Sequence, residues 1–75
     1  MRQIKLFSGT KLIAKFTVEE IDDNFISTVW IVDDFFEVDR NVKDFETYSA
    51  ALANMYKNAL EFTIANSDLE MIADD

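Results

Sequence analysis

The chain is 75 residues long and has no cysteine, histidine or proline, so it has room for one domain (residues 1–75) but no disulfide framework and no thiolate or imidazole metal ligand. Its charge is lopsided: residues 19–75 hold all fifteen acidic residues against three basic ones, a formal −12, whereas Arg2, Lys5, Lys11 and Lys15 give residues 1–18 a formal +4. That balance makes a basic partner more plausible than a nucleic acid, with no direct nucleic-acid binding expected. A domain this small hides only about 60% of its unfolded surface, yet seven Phe, two Tyr and one Trp in a 49% hydrophobic chain supply material for a core and argue against disorder.

In chain order, the first segment runs from Arg2 to Phe7, with Ile4 and Leu6 on one face at period two. Ser8-Gly9 follows, and then Leu12, Ala14, Phe16 and Val18 alternate with Lys11, Ile13, Lys15 and Thr17. This predicts a β-hairpin turning at Ser8-Gly9, where glycine takes positive φ at no steric cost. The Asp22-Asp23-Asn24 turn leads into a run from Phe25 to Val38 that is apolar on both faces, with Val29 and Ile31 pointing one way and Ile26, Trp30 and Val32 the other. The expectation is a long third strand that bends at Asp33-Asp34.

From about Asn41 the period changes. Phe45, Tyr48, Leu52, Met55, Ala59 and Phe62 fall on one helical stripe, with Glu46, Ala50, Ala53, Lys57 and Glu61 opposite and Asn41 and Asp44 in capping positions. Asn66-Ser67-Asp68 stops the helix, and the alternation of Leu69, Met71 and Ala73 fits a short last strand or a frayed tail. The predicted fold class is α+β: a small antiparallel sheet, built from an N-terminal hairpin and a long third strand, with one C-terminal helix packed on one face.

Searching for chemistry eliminates most classes. No Ser-His or Cys-His pair is available, and one glycine cannot make a phosphate-binding loop. The carboxylate pairs Asp22/Asp23, Asp33/Asp34 and Asp74/Asp75 lack the walled cleft that glycoside hydrolysis needs. Asp22-Asp23-Asn24 offers oxygen ligands without the spacing of a calcium-binding loop. The expectation is no catalytic, cofactor or metal site. The interrupted apolar clusters of the N-terminus do not form a signal peptide, and no uncharged run is long enough to span a bilayer, so a soluble, cytoplasmic protein is expected.

The acidic residues remain. Glu19, Glu20, Asp22, Asp23, Asp33, Asp34, Glu37, Asp39, Asp44 and Glu46 are ten carboxylates within 28 residues, opposed there by Arg40 and Lys43. Carboxylates two apart on a strand lie roughly 6.6–7 Å apart, a spacing that imitates a charged nucleic-acid backbone. Where the chain turns decides whether the ten make one patch or two at opposite ends of the sheet.

In size, charge and lack of catalytic residues the chain is similar to the tiny acidic inhibitors made by bacteriophages: uracil-glycosylase inhibitor, DNA-mimic anti-restriction proteins and anti-CRISPR proteins. These share no motif, so the resemblance assigns no residue. The segment from Asp44 to Leu60 also resembles the helix of HicB-type antitoxins, without their Gly-rich strand turns. The resemblance to the phage inhibitors implies a non-enzymatic protein that occupies a basic, nucleic-acid-binding surface of a host protein, and the charge pattern makes the ten carboxylates the expected contacts. The alternative is a structural module that forms a homo-oligomer, for instance a homodimer, through Ile26, Trp30, Val32, Phe35 and Phe36, the acids serving solubility only.

Overall fold

A computed structural model describes residues 2–33, 36–66 and 69–74. Two apolar residues at period two, Ile4 and Leu6, set the inner face of β1 (Arg2–Ser8), and Ala14, Phe16 and Val18 set that of β2 (Lys11–Ile21). The two strands pair antiparallel, closing with Ser8 opposite Lys11, so the turn is Gly9-Thr10, one residue later than the sequence predicts. Gly9 sits at φ +65° in its first position, where a type II′ turn takes glycine.

β2 turns into β3 (Asn24–Asp33) through Asp22 and Asp23, with Ile21 paired to Asn24. Both aspartates have positive φ, 50° and 67°, the pattern of a type I′ turn, in which Asp-Gly is a preferred pair. Asp23→Gly is therefore expected to stabilise the fold by about 0.5–1 kcal/mol, because glycine sheds the left-handed penalty that a side chain carries there. Thermal denaturation checks this; a fall in Tm would show that Asp23 contributes more through its side chain than its backbone costs.

The long third strand predicted for residues 25–38 is instead two strands. β3 ends at Asp33 and β4 (Phe36–Phe45) returns antiparallel beside it, with Asp33 opposite Phe36. The predicted bend after Asp33 falls where β3 ends; Asp34 and Phe35 lie outside the described residues. Asn41 consequently belongs to β4 and caps no helix. The helix α1 (Tyr48–Ala65) starts later, with Thr47 as N-cap: its hydroxyl accepts from the Ala50 amide at 3.2 Å. It ends at Asn66, whose backbone N–H donates to the Phe62 carbonyl at 3.0 Å.

The last strand exists: β5 (Glu70–Asp74) pairs antiparallel with β1, from Phe7 opposite Glu70 to Gln3 opposite Asp74. The five strands are ordered β4-β3-β2-β1-β5, and α1 crosses one face of the sheet from the β4 edge to the β5 edge. This is the small α+β architecture that the sequence predicts, with one helix on an antiparallel sheet.

Ile4, Leu6, Ala14, Phe16, Val18, Ala51, Met55 and Ala59 are fully buried and form the core. Phe16 meets Phe62 edge to face at 5.5 Å between ring centres, and Phe25 meets Tyr48 similarly at 5.8 Å. Met55 and Ala59 of the predicted stripe are buried, but Ala51 rather than Tyr48 completes the inward line, and Phe45 belongs to β4. Ala51, Met55 and Ala59 point inward, Leu52 and Phe62 flank them, and Tyr48 is largely exposed. Small alanines let the helix backbone sit close over the bulky side chains of the sheet, so the closest line of contact runs through residues with little apolar area of their own.

Candidate functional site

Residues opposite one another on antiparallel strands point to the same face. The pairing therefore assigns every strand position either to the helix face or to the bare face of the sheet. Glu19, Ile26 and Asp44 form one row across the bare face; Glu20, Phe25 and Phe45 form the next on the helix face. Asp22 and Asp23 cap the same end of the sheet, and Glu46 follows β4 there. Six carboxylates, those of Glu19, Glu20, Asp22, Asp23, Asp44 and Glu46, thus share one end. All six residues are exposed, and no salt bridge among the described residues involves them.

Asp33, Glu37 and Asp39 lie toward the opposite end. On β3, Ile26 and Val32 mark the two acidic groups and are six residues apart, about 20 Å. The ten predicted site residues are therefore two groups, apart from Asp34, which lies outside the described residues. The second group is partly neutralised: Asp33 pairs with Lys11 and Glu37 with Arg40, each at 2.6 Å. The hydrogen bond to Glu37 is the main cause holding the Arg40 guanidinium above its usual pKa range.

Between the acidic ends the bare face is basic. Lys5, Lys15, Trp30 and Arg40 are mutual neighbours in one row across β1, β2, β3 and β4. The Lys15 ammonium lies 4.9 Å and the Arg40 guanidinium 4.1 Å from the Trp30 ring centre, and the indole N–H points to the Thr17 hydroxyl at 3.4 Å. The cations attract the ring and their aliphatic stems cover it, which keeps a half-buried Trp30 on a face that no helix shields. Of the four basic residues of the first hairpin, Lys5 and Lys15 join this row, whereas Arg2 reaches Tyr56 on the helix and Lys11 reaches Asp33.

Of the proposed oligomer face, Ile26, Trp30 and Val32 are half-buried, Phe36 is 76% exposed, and Phe35 lies outside the described residues.

Sequence reasoning did not find the groove between α1 and β4. It has a volume of about 250 Å³ and is walled by Asn41 and Lys43 from β4 and by Asn54, Asn58 and Glu61 from α1. The buried Ser27 hydroxyl donates to Asn54 Oδ1 at 2.9 Å, and Asn58 Nδ2 donates to the same oxygen at 3.2 Å. The available signal was Asn54 and Asn58, two amides one helical turn apart beside the inward Met55.

Among the described residues no group of three or more acidic side chains is placed to hold a metal ion together, and no helix is long and apolar enough to cross a membrane. Comparison with protein-family models, curated proteins and solved structures returns no match to this chain.

Proposed function

We propose that this chain is a non-enzymatic acidic binding protein that acts as an inhibitor or regulator by occupying a basic, nucleic-acid-binding surface of another protein. The observation that carries the reading is the six-carboxylate end: Glu19, Glu20, Asp22 and Asp23 on the β2–β3 hairpin beside Asp44 and Glu46, all exposed and not ion-paired among the described residues. Charges held by a hairpin and an adjoining strand are ordered before binding, which lowers the entropy cost of meeting a fixed basic groove. Opposite potentials also speed encounter and reject acidic competitors. The aromatic-face alternative is less favoured, because Lys15 and Arg40 place charge beside Trp30 where a self-contact would need apolar surface.

The test is capture of partners from host lysate by the tagged wild-type chain and by a variant carrying Glu19→Gln, Glu20→Gln, Asp22→Asn and Asp23→Asn. The wild type is expected to retain a nucleic-acid-binding protein at low salt, to lose it at high salt and to release it to added nucleic acid. The variant is expected to bind at least about tenfold more weakly with its melting temperature preserved. Equal capture by both proteins, or capture indifferent to salt and nucleic acid, refutes the reading.

A further inference from the structure

β4 is an edge strand ten residues long. One side of its backbone pairs with β3, and the strand order places no described strand on the other. Nine of its ten residues are exposed, and it contains no proline. Edges of this kind recruit another strand unless something blunts them, and here the protection is charge plus a register shift opposite Ile31 and Val32. The helix packs chiefly on β3 and β2 and touches β4 less, leaving the groove walled by Asn41 and Lys43 beside that edge.

The charges of β4 restrict how it can meet a second copy of itself. In a two-fold antiparallel pairing, opposite residues must share a face, so the axis passes through a residue rather than between two. An axis on Glu37, Asp39, Arg40, Lys43 or Asp44 sets that charge against its own copy. An axis on Val38 opposes Glu37 to Asp39 of the second copy, and one on Phe45 opposes Asp44 to Glu46; an axis on Phe36 pairs little but the end of the strand. Like charges directly opposite are unfavourable. Only Asn41 and Val42 remain.

These two centres differ in what they disturb. An axis at Val42 sets Arg40 against Asp44 of the second copy, drawing Arg40 from its 2.6 Å contact with Glu37 and its place over Trp30. An axis at Asn41 sets Asp39 against Lys43 twice on the helix face and Asn41 against itself, and it leaves Arg40 where it is. Neither Asp39 nor Lys43 has a salt bridge among the described residues. We propose that β4 pairs antiparallel with β4 of a second copy about an axis at Asn41, joining two five-stranded sheets into one. This pairing does not rest on the acidic partner site and meets it only at its margin: Asp44 and Glu46 fall opposite Val38 and Phe36 of the second copy, whereas the carboxylates of the β2–β3 hairpin lie away from the paired strands.

Sedimentation equilibrium and cysteine cross-linking test it. The wild type is expected to dimerise reversibly. Lys43→Glu and Asp39→Lys are each expected to weaken the dimer about tenfold or more, by turning two attractive pairs into repulsive ones, and the double exchange Asp39→Lys with Lys43→Glu to restore it. In this cysteine-free chain, Asn41→Cys is expected to give a disulfide-linked dimer under mild oxidation and Val42→Cys is not, since only position 41 faces its own copy. A chain that stays monomeric at every concentration, a dimer indifferent to the charge exchanges, or preferential cross-linking through Val42→Cys overturns the proposal.

Discussion

Phe16→Ala is expected to remove a large share of the fold's stability. The ring is fully buried at the centre of β2, under α1 and against Phe62, so its loss removes apolar contacts and opens a cavity between sheet and helix. Such truncations cost about 3–5 kcal/mol. At about 0.05–0.15 kcal/mol per residue, a 75-residue chain has only about 4–11 kcal/mol in total. Phe36→Ala makes the matched control, because Phe36 is 76% exposed and its truncation is expected to change stability by less than about 0.5 kcal/mol. Urea titration followed by circular dichroism reads both. Similar midpoints for the two variants would contradict the assignment of the core to the helix face.

Ala51→Leu and Ala53→Leu form a second pair, expected to separate widely although the residues are two apart on the same helix. Ala51 is fully buried where the helix backbone runs close to the sheet, and three further carbons have no space there. Overpacking of that kind costs about 1–3 kcal/mol. In a domain of this size it lowers Tm by at least about 4 °C. Ala53 is exposed, and leucine there is expected to be nearly silent. If Ala53→Leu proves the more damaging, α1 is rotated from the orientation described.

The same alanines explain what could be read in advance. β1 and β2 were legible because each carries bulky apolar side chains at period two, β3 because its β-branched and aromatic run is apolar on both faces, and α1 because its stripe recurs at helical spacing over four turns. The inward line of that stripe was legible only in part. A sequence pattern is weighted by large residues such as Tyr48, whereas close packing set Ala51 beside the expected Met55 and Ala59. β4 as a separate strand, and all of it beyond Val38, escaped, since a strand exposed on both faces has no buried positions to alternate, and Asp44 looks the same in a strand as in a first helical turn. The exposure of the individual carboxylates was legible from their chemistry. Their grouping was not, because it depends on the chain reversing between Asp33 and Phe36, which brings Asp44 back beside Glu19 by way of Ile26.

The crossing of α1 from one sheet edge to the other also orders how the molecule assembles. β1 to β4 are joined by hairpins whose closing pairs are three residues apart, such as Ser8 with Lys11, and these contacts form locally. β5 meets β1 with Phe7 opposite Glu70, 63 residues away. Between four and five doublings of loop length separate the two, so direct closure from the open chain costs about 2–3 kcal/mol more in entropy. Docking α1 first removes most of that cost by carrying the chain across the sheet and leaving only residues 66–69 to span from helix to strand. The pairing of β1 with β5 is then expected late in folding, after the helix has reached its seat on Phe16.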